Sequence, residues 1–416
     1  MSDQLAPTEP ALTGGGASTP PGGRGGLRAF LSDVNRRRTW YADALTTLIA
    51  IILAFLVGAV LMIISDPAVI SQYAYLFTAP ELPLGASWEK VSGAYSALVA
   101  GSIGGLRPLA ETTAQAAPLI CAGLGVALAF RAGLFNIGAQ GQAVVGAIVA
   151  AWVGFSITGI WYLALLLAII GGFLAGALWG GIAGFLKARF GAHEVIVTIM
   201  LNYIASGLLA WLLTTTAFQR PGRTDPISPI IDWFATMPRI EGTRLHLGFF
   251  LAVLAAVGMW WLLDRSTLGF SIRAVGANPH AAATAGISVA RTTVLTMMIA
   301  GGLGGLAGAQ AALAPGAGGT AVPLSAGLVG TVGFDAITVA LLGRSKPGGV
   351  VFAGLLFGAL KAGGLSMQSV AQTPLTLTVV LQALIVLFVA APALVRTVAP
   401  FITLLLRPAG RRGAPA

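Results

Sequence analysis

Charge is scarce in this chain: Asp, Glu, Lys and Arg make up 9% of 416 residues, against about 25% in a soluble globular protein. With 56% hydrophobic residues and a mean hydropathy of +0.86, a soluble fold would lack the polar residues that its outer face needs. Lipid as solvent removes that conflict. Cysteine is nearly absent. Cys121 is the one thiol and sits in an apolar run, which excludes an internal disulfide and any cysteine-based metal cluster. The three histidines, His193, His246 and His280, stand on separate segments and do not suggest a metal site. None of the lysines (Lys90, Lys187, Lys346 and Lys361) completes a GxxxxGK[ST] motif, so the chain has no P-loop of its own. No nucleophile–base cluster appears, which argues against a membrane enzyme.

What is present fits a helical membrane protein. The chain holds 56 Gly and 22 Pro, both commoner in membrane helices than in soluble ones, and small residues let helices approach closely. The net charge of +10 belongs to membrane ends rather than to nucleic-acid binding. Residues 1–38 are rich in Pro, Gly, Ser and Thr without an apolar core, and read as a disordered cytoplasmic tail rather than a signal peptide. A helix crossing the hydrocarbon core needs about 20 residues. Ten candidate spans result, at 43–64, 109–130, 138–157, 160–186, 194–216, 246–263, 292–312, 326–343, 348–365 and 377–395. The close pairs 138–157/160–186 and 326–343/348–365 leave room for a partly re-entrant member. With the N-terminus in the cytoplasm, 17 of the 24 Lys and Arg fall on the cytoplasmic side and six outside, as the positive-inside bias requires. Residues 39–400 thus form one all-α, polytopic transmembrane domain in the cytoplasmic membrane. Both termini are then cytoplasmic, with a basic tail at 401–416.

Two external segments are long. In residues 65–108, the part from Trp88 to Leu106 is expected as a helix lying at the outer interface. Residues 217–245 carry Pro221, Pro226, Pro229 and Pro238 and are expected as a loop, either solvated or offering Trp233 to an external protein. The cytoplasmic loop 264–291 holds a short helix signal. Asn278 suits an N-cap, Pro279 the first helical position, and Gly286 the left-handed residue after the last turn. A helix of about two turns is not stable alone. It needs a partner surface, either another subunit or the protein's own cytoplasmic ends.

Polar groups at membrane depth are costly and usually have a reason. Asn136 and Gln140, four residues apart, are expected on one helical face. Asn202 lies eight residues beyond Glu194, about 12 Å along a helix, with Thr198 on the same face. Asp335 is expected half-way along its span beside Phe334. Asn136, Gln140, Asn202 and Asp335 are the candidate lining of a solute path. Their amides suit hydroxyls or a nucleobase edge, and Phe135 and Phe334 offer faces to a flat ring. The alternative is that these groups bond neighbouring helices and never touch solute. Glu111 is expected to snorkel to the interface, Lys361 to do likewise or pair with an acid, and Glu194 to favour a helix dipole. The run Gly301-Gly302-Leu303-Gly304-Gly305-Leu306-Ala307-Gly308 contains overlapping GxxxG spacings that suit close helix contact.

Four blocks carry a resemblance: Arg131 to Gln142 (RAGLFNIGAQGQ), His193 to Tyr203 (HEVIVTIMLNY), Ala274 to Ile287, and Gly333 to Gly349. In this order they are similar to the signatures of ABC importer permeases for nucleosides and simple sugars, a family that also includes ribose and branched-chain amino acid permeases. The first two blocks look closest to the nucleoside branch. The resemblance implies inverted repeats of five helices, with Gly276, Asn278, Pro279, Ala282, Ala283 and Gly286 in a loop that couples to the ATPase. It implies three protein partners: an ATPase subunit that holds ATP and Mg, a second permease (paralogue or copy), and an extracellular binding lipoprotein or periplasmic protein. No cofactor is expected in this chain. The rival from another class is an ion-coupled secondary transporter, which works without an ATPase.

Overall fold

The computed structural model describes residues 48–157, 163–316 and 319–390. The expected tails at 1–38 and 401–416 lie outside the described residues. The compact body spans Ala50–Pro392; a second unit, of residues 1–49 and 393–416, falls almost wholly outside them. Helices dominate and no strand appears among the described residues. Two isolated bridges, Arg239–His246 and Pro315–Ala321, are the only β pairing there.

Among the described residues, eight helices are long and apolar enough to cross a membrane: α1 (Leu48–Ser65), α4 (Leu106–Arg131), α5 (Ala139–Ser156), α6 (Leu163–Phe190), α7 (Glu194–Leu212), α8 (Leu247–Arg265), α11 (Val289–Leu313) and α13 (Pro347–Ala371). Two shorter apolar helices complete the set, α12 (Val332–Leu342) and α14 (Leu375–Ala390). The chain is therefore a multi-pass helical bundle, and the expectation at 326–343 is corrected. Turns occupy the stretch before Val332, and α12 has 11 residues, about 16 Å of helix against a core of about 30 Å. Hydropathy alone did not register that Gly327 and Gly330 sit in turns that keep the apolar run from being one helix.

The segment after α1 is more ordered than its composition suggested. Asp66 caps α2 (Pro67–Gln72), accepting from Ala68 N, and pairs with Lys90 at 2.7 Å. The Lys90 ammonium holds the Asp66 carboxyl below the usual carboxylate range. Helix α3 (Glu81–Ile103) starts seven residues before the expected Trp88. It buries Pro83, Ser87, Ala94, Leu98 and Ser102 on one face. It lies on α13, where Leu98 meets Gly363 and Gly101 meets Ser366.

Helix α11 is the central packing element. A Cβ at Gly305 would strike the Gly172 carbonyl, one at Gly301 the Gly176 carbonyl, and one at Gly308 the Ala143 carbonyl. Small residues thus let α5 and α6 press backbone-to-backbone on α11, as the glycine spacing indicated. Where lipid tails give helices no hydrophobic reason to associate, such van der Waals contact supplies the association energy. The proline-rich segment 217–245 has no helix, yet it is not a free loop. Met237 N donates to Leu313 O at 2.9 Å and Ser228 N to Leu324 O at 3.0 Å. Ile231, Ala235 and Met237 are buried. Trp233 remains exposed, stacked on Phe234 with ring centroids 4.1 Å apart.

Candidate translocation path and coupling face

Helix α4 stops at Arg131, and α5 starts at Ala139, with a non-helical linker between them. Asn136 lies in that linker, so the expected shared helical face with Gln140 does not exist. Instead the amides clamp the break. Asn136 and Gln142 exchange two hydrogen bonds, at 3.2 and 3.1 Å, and Asn136 Oδ1 also accepts from Gly138 N. Asn202 Oδ1 accepts from Gly141 N at 2.8 Å, and its Nδ2 donates to Ile137 O at 3.0 Å. Glu194 Oε1 accepts from Phe135 N, while Lys187 pairs with Glu194 Oε2 at 2.6 Å. Since Asn202 is eight residues into α7, α5 begins about 12 Å in from the basic face. The linker climbs to mid-depth, and fixed amides satisfy backbone groups that helix would otherwise satisfy.

Helix α12 starts at the same place. Gln140 Nε2 donates to Gly330 O at 2.7 Å, and its Oε1 accepts from Gly333 N at 2.9 Å. The first turns of α5 and α12 therefore meet. The polar groups of Asn136, Gln140 and Asn202 all bond protein here. Phe135 is 58% exposed and packs on Phe130; Phe334 is 47% exposed.

Asp335 sits in the first turn of α12 rather than mid-span. Its Oδ2 accepts from Lys361 at 2.7 Å and from Thr331 at 3.1 Å. Lys361 is ten residues from the end of α13 at Ala371, about 15 Å, and farther from Pro347. It therefore pairs with an acid instead of snorkelling. Glu111, expected to snorkel, binds Arg244 at 2.9 Å and accepts from Gln115 at 3.0 Å.

Two cavities flank these charges. One, of about 250 Å³, is lined by Gln115, Thr331, Asp335, Lys361, Leu365, Leu375, Thr378, Val379 and Gln382. The other, of about 190 Å³, has Gln115, Pro118, Arg244, His246, Gln310 and Val332 in its wall. Gln115 belongs to both, and the start of α12 contributes Thr331 to one and Val332 to the other. Among the described residues five buried side-chain nitrogens or oxygens lack a partner. Three of them, Arg244 Nε, Gln310 Oε1 and Thr378 Oγ1, belong to residues that line these cavities. Unpaired buried polar atoms are rare in folded proteins, and here three of the five sit in the walls of these cavities. Sequence reasoning missed Gln115, Gln310, Thr378 and Gln382. The membrane-depth test that picked Asn136 and Asn202 would have found them as well. His246, at the start of α8, accepts from Gly248 N through Nδ1. Burial, helped by the Arg244 charge, pushes its pKa down to about 4.

On the basic face, α9 (Thr267–Ala277) precedes α10 (Pro279–Thr284). Asn278 caps α10, accepting from His280 N at 3.0 Å and Ala281 N at 3.1 Å. Gly286 has φ +81, and Ile287 N donates to Ala282 O at 3.0 Å; this closes the helix as the residue pattern indicated. Ala281, Ala283 and Thr284 are exposed, but Ala282 is 4% exposed. Ala282 therefore packs inward and is not part of the face presented to a partner. Gly276 is half-buried but closely packed. A Cβ there would collide with the Arg131 carbonyl, and a Cβ on Gly133, whose φ is +71, would meet Gly276 Cα at 3.4 Å. Helix α9 thus rests directly on the start of the linker that carries Asn136. Arg131 Nε in turn donates to Ser345 O at 3.0 Å, tying in the turn between α12 and α13.

Helices of membrane length, packed around a broken segment whose backbone is satisfied by fixed amides, define a multi-pass membrane protein. The chain belongs to the family described as the permease component of the branched-chain amino acid transport system, whose model matches residues 109–390. It is 41% identical over 361 residues to the guanosine ABC transporter permease protein NupP of Bacillus subtilis, covering 85% of this chain and 95% of that one. It is 34% identical to the nucleoside ABC transporter permease protein NupB of Lactococcus lactis, covering 86% and 93%. It is 35% identical to the glucose ABC transporter permease protein TsgB13 of Haloferax volcanii, covering 67% and 75%. No solved structure matches.

Proposed function

We propose that this chain is the permease subunit of an ATP-driven importer that carries a nucleoside across the cytoplasmic membrane, with both termini in the cytoplasm. The observation that carries this is similarity to guanosine and nucleoside permeases over 85% and 86% of the chain, joined to a pair of cavities that share Gln115 and hold a few polar side chains in largely apolar walls. A simple sugar is the second choice, favoured by the similarity to a glucose permease. The chain has no P-loop, so ATP and Mg belong to a separate ATPase subunit. A second permease, paralogue or copy, completes the pore, and an extracellular binding protein delivers solute.

Coupling runs through short, stiff contacts. The ATPase holds the exposed face of α10, in which Asn278, Pro279 and Gly286 set the shape and Ala283 makes contact. Ala282 anchors α10 to the chain. Displacement of α9 is passed at Gly276 to the linker and so to the clamp of Asn136, Gln140 and Asn202. Because Gln140, in the first turn of α5, bonds Gly330 and Gly333 at the start of α12, α5 and α12 move together, and the wall between the two cavities moves with them. Solute passes Asp335 and the faces of Phe334 and Phe135 on this route. The test is reconstitution with the ATPase and binding protein in vesicles. ATP-dependent uptake of labelled guanosine is expected. Nucleotide-independent accumulation by the purified chain alone would instead make it a secondary transporter.

A further inference from the structure

We infer that the cleft around Asp335 and Lys361 is the subsite that reads the vicinal hydroxyls of the solute's pentose. This rests on the proposed transport of a nucleoside and specifies which part of it the permease recognises. The pair is deep in the bundle, at 2.7 Å, yet the two side chains keep 22% and 26% of their surface open. An ion pair kept only for packing is better replaced by apolar groups, and charges inside a membrane protein mark solute pathways. The bonding pattern points outward as well. Both of the hydrogen bonds to the Asp335 carboxylate fall on Oδ2, and among the described residues Oδ1 takes none. Thr378 lines the same cleft. Gln115 and Gln382 complete a polar side, and Leu365, Leu375 and Val379 form an apolar wall.

A furanose has the matching chemistry. Its hydroxyl edge donates to a carboxylate oxygen and accepts from an ammonium, while its carbon face lies against aliphatic side chains. Asp335 and Lys361 cancel each other's charge, so the cleft suits a neutral nucleoside rather than a phosphorylated one. A 2′,3′-dideoxynucleoside brings no hydroxyl to Asp335 Oδ1. Loss of a hydroxyl's hydrogen bond to the charged Asp335 carboxylate is expected to lower uptake roughly tenfold or more.

The test uses the full complex in vesicles, with guanosine and 2′,3′-dideoxyguanosine each supplied at concentrations that saturate the binding protein. Wild type is expected to favour guanosine, and D335N to lower the guanosine-to-dideoxyguanosine uptake ratio about tenfold while dideoxyguanosine uptake persists. Because D335N leaves Lys361 unpaired, the neutral pair D335N/K361Q is measured beside it, with co-purification of the subunits reporting assembly. The same loss of ratio is expected from it. An unchanged ratio in the assembled double variant, or an equal fall for both solutes, overturns the inference and leaves nucleoside transport standing. A wild-type complex that moves no nucleoside removes the transport proposal, and the inference falls with it.

Discussion

Replacing Gly276 with alanine tests the mechanical link between the short helix α10 and the break between α4 and α5. The added methyl has no room. Its ideal position lies well inside 3.0 Å of the Arg131 carbonyl oxygen, and the carbonyl carbons of Arg131 and Ala132 are at 2.9 and 3.0 Å. All three are backbone atoms, so no side chain can swing away. Either α9 or the linker must back off. Overpacking in a closed site costs about 1–3 kcal/mol, and a backbone-only cage puts this substitution at or above the top of that range. The expected result is a complex that assembles but couples poorly. ATP hydrolysis continues, its stimulation by solute-loaded binding protein falls at least tenfold, and uptake falls with it. Thermal unfolding of the purified complex shifts down. Gly258→Ala is the control, since a Cβ there meets nothing within 4 Å. If Gly276→Ala retained wild-type stimulation and melting, the claim that α9 drives the linker through this contact would be wrong.

Asn202→Ala strips partners from Gly141 N–H and Ile137 C=O, and leaving buried groups unpaired costs about 1–3 kcal/mol each; a lower melting temperature with intact subunit stoichiometry is expected, and no shift would contradict the clamp. Ala281→Glu places a carboxylate on the exposed face of α10 and is expected to prevent ATPase co-purification, whereas Ala282→Glu buries a charge and is expected to lower the yield of folded chain; identical behaviour of the two would refute the assigned faces. His246 has a folded pKa of about 4 against 6.5 unfolded, so the unfolded chain binds the extra proton between these values. Stability from the neutral ring is full above pH 6.5 and is lost as pH falls toward 4, by up to about 3 kcal/mol. His246→Asn retains a cap acceptor without titrating, and its melting curve is expected to show a shallower acid slope over that window; equal slopes would contradict the assignment.

Local chemistry made some features legible in the sequence. The α10 signal needs only Asn278, Pro279 and Gly286 in order, because capping and left-handed closure are decided within a few residues. The glycines of α11 announced close contact for the same reason, as absent side chains can be read from sequence while their partners cannot. The long apolar runs had no stable alternative to spanning helices, although the run at 326–343 broke at turns that hydropathy does not weigh. The site was half legible. Membrane-depth polarity identified Asn136, Gln140, Asn202 and Asp335 as costly residues without saying what satisfies them.

Composition and periodicity determined by themselves that this chain is a lipid-embedded helical bundle with a capped helix on its basic face, since lipid admits only helices or closed barrels and continuous apolar runs of about 20 residues select helices. Only the tertiary structure decided which polar groups are spent on the protein and which remain free. Asn202 and Gly141 are 61 positions apart, and Asp335 and Lys361 are 26 apart on different helices. Such pairings depend on how helices cross, which no local pattern encodes. They separate the amides that clamp the broken helix from the cavity groups that still want a partner.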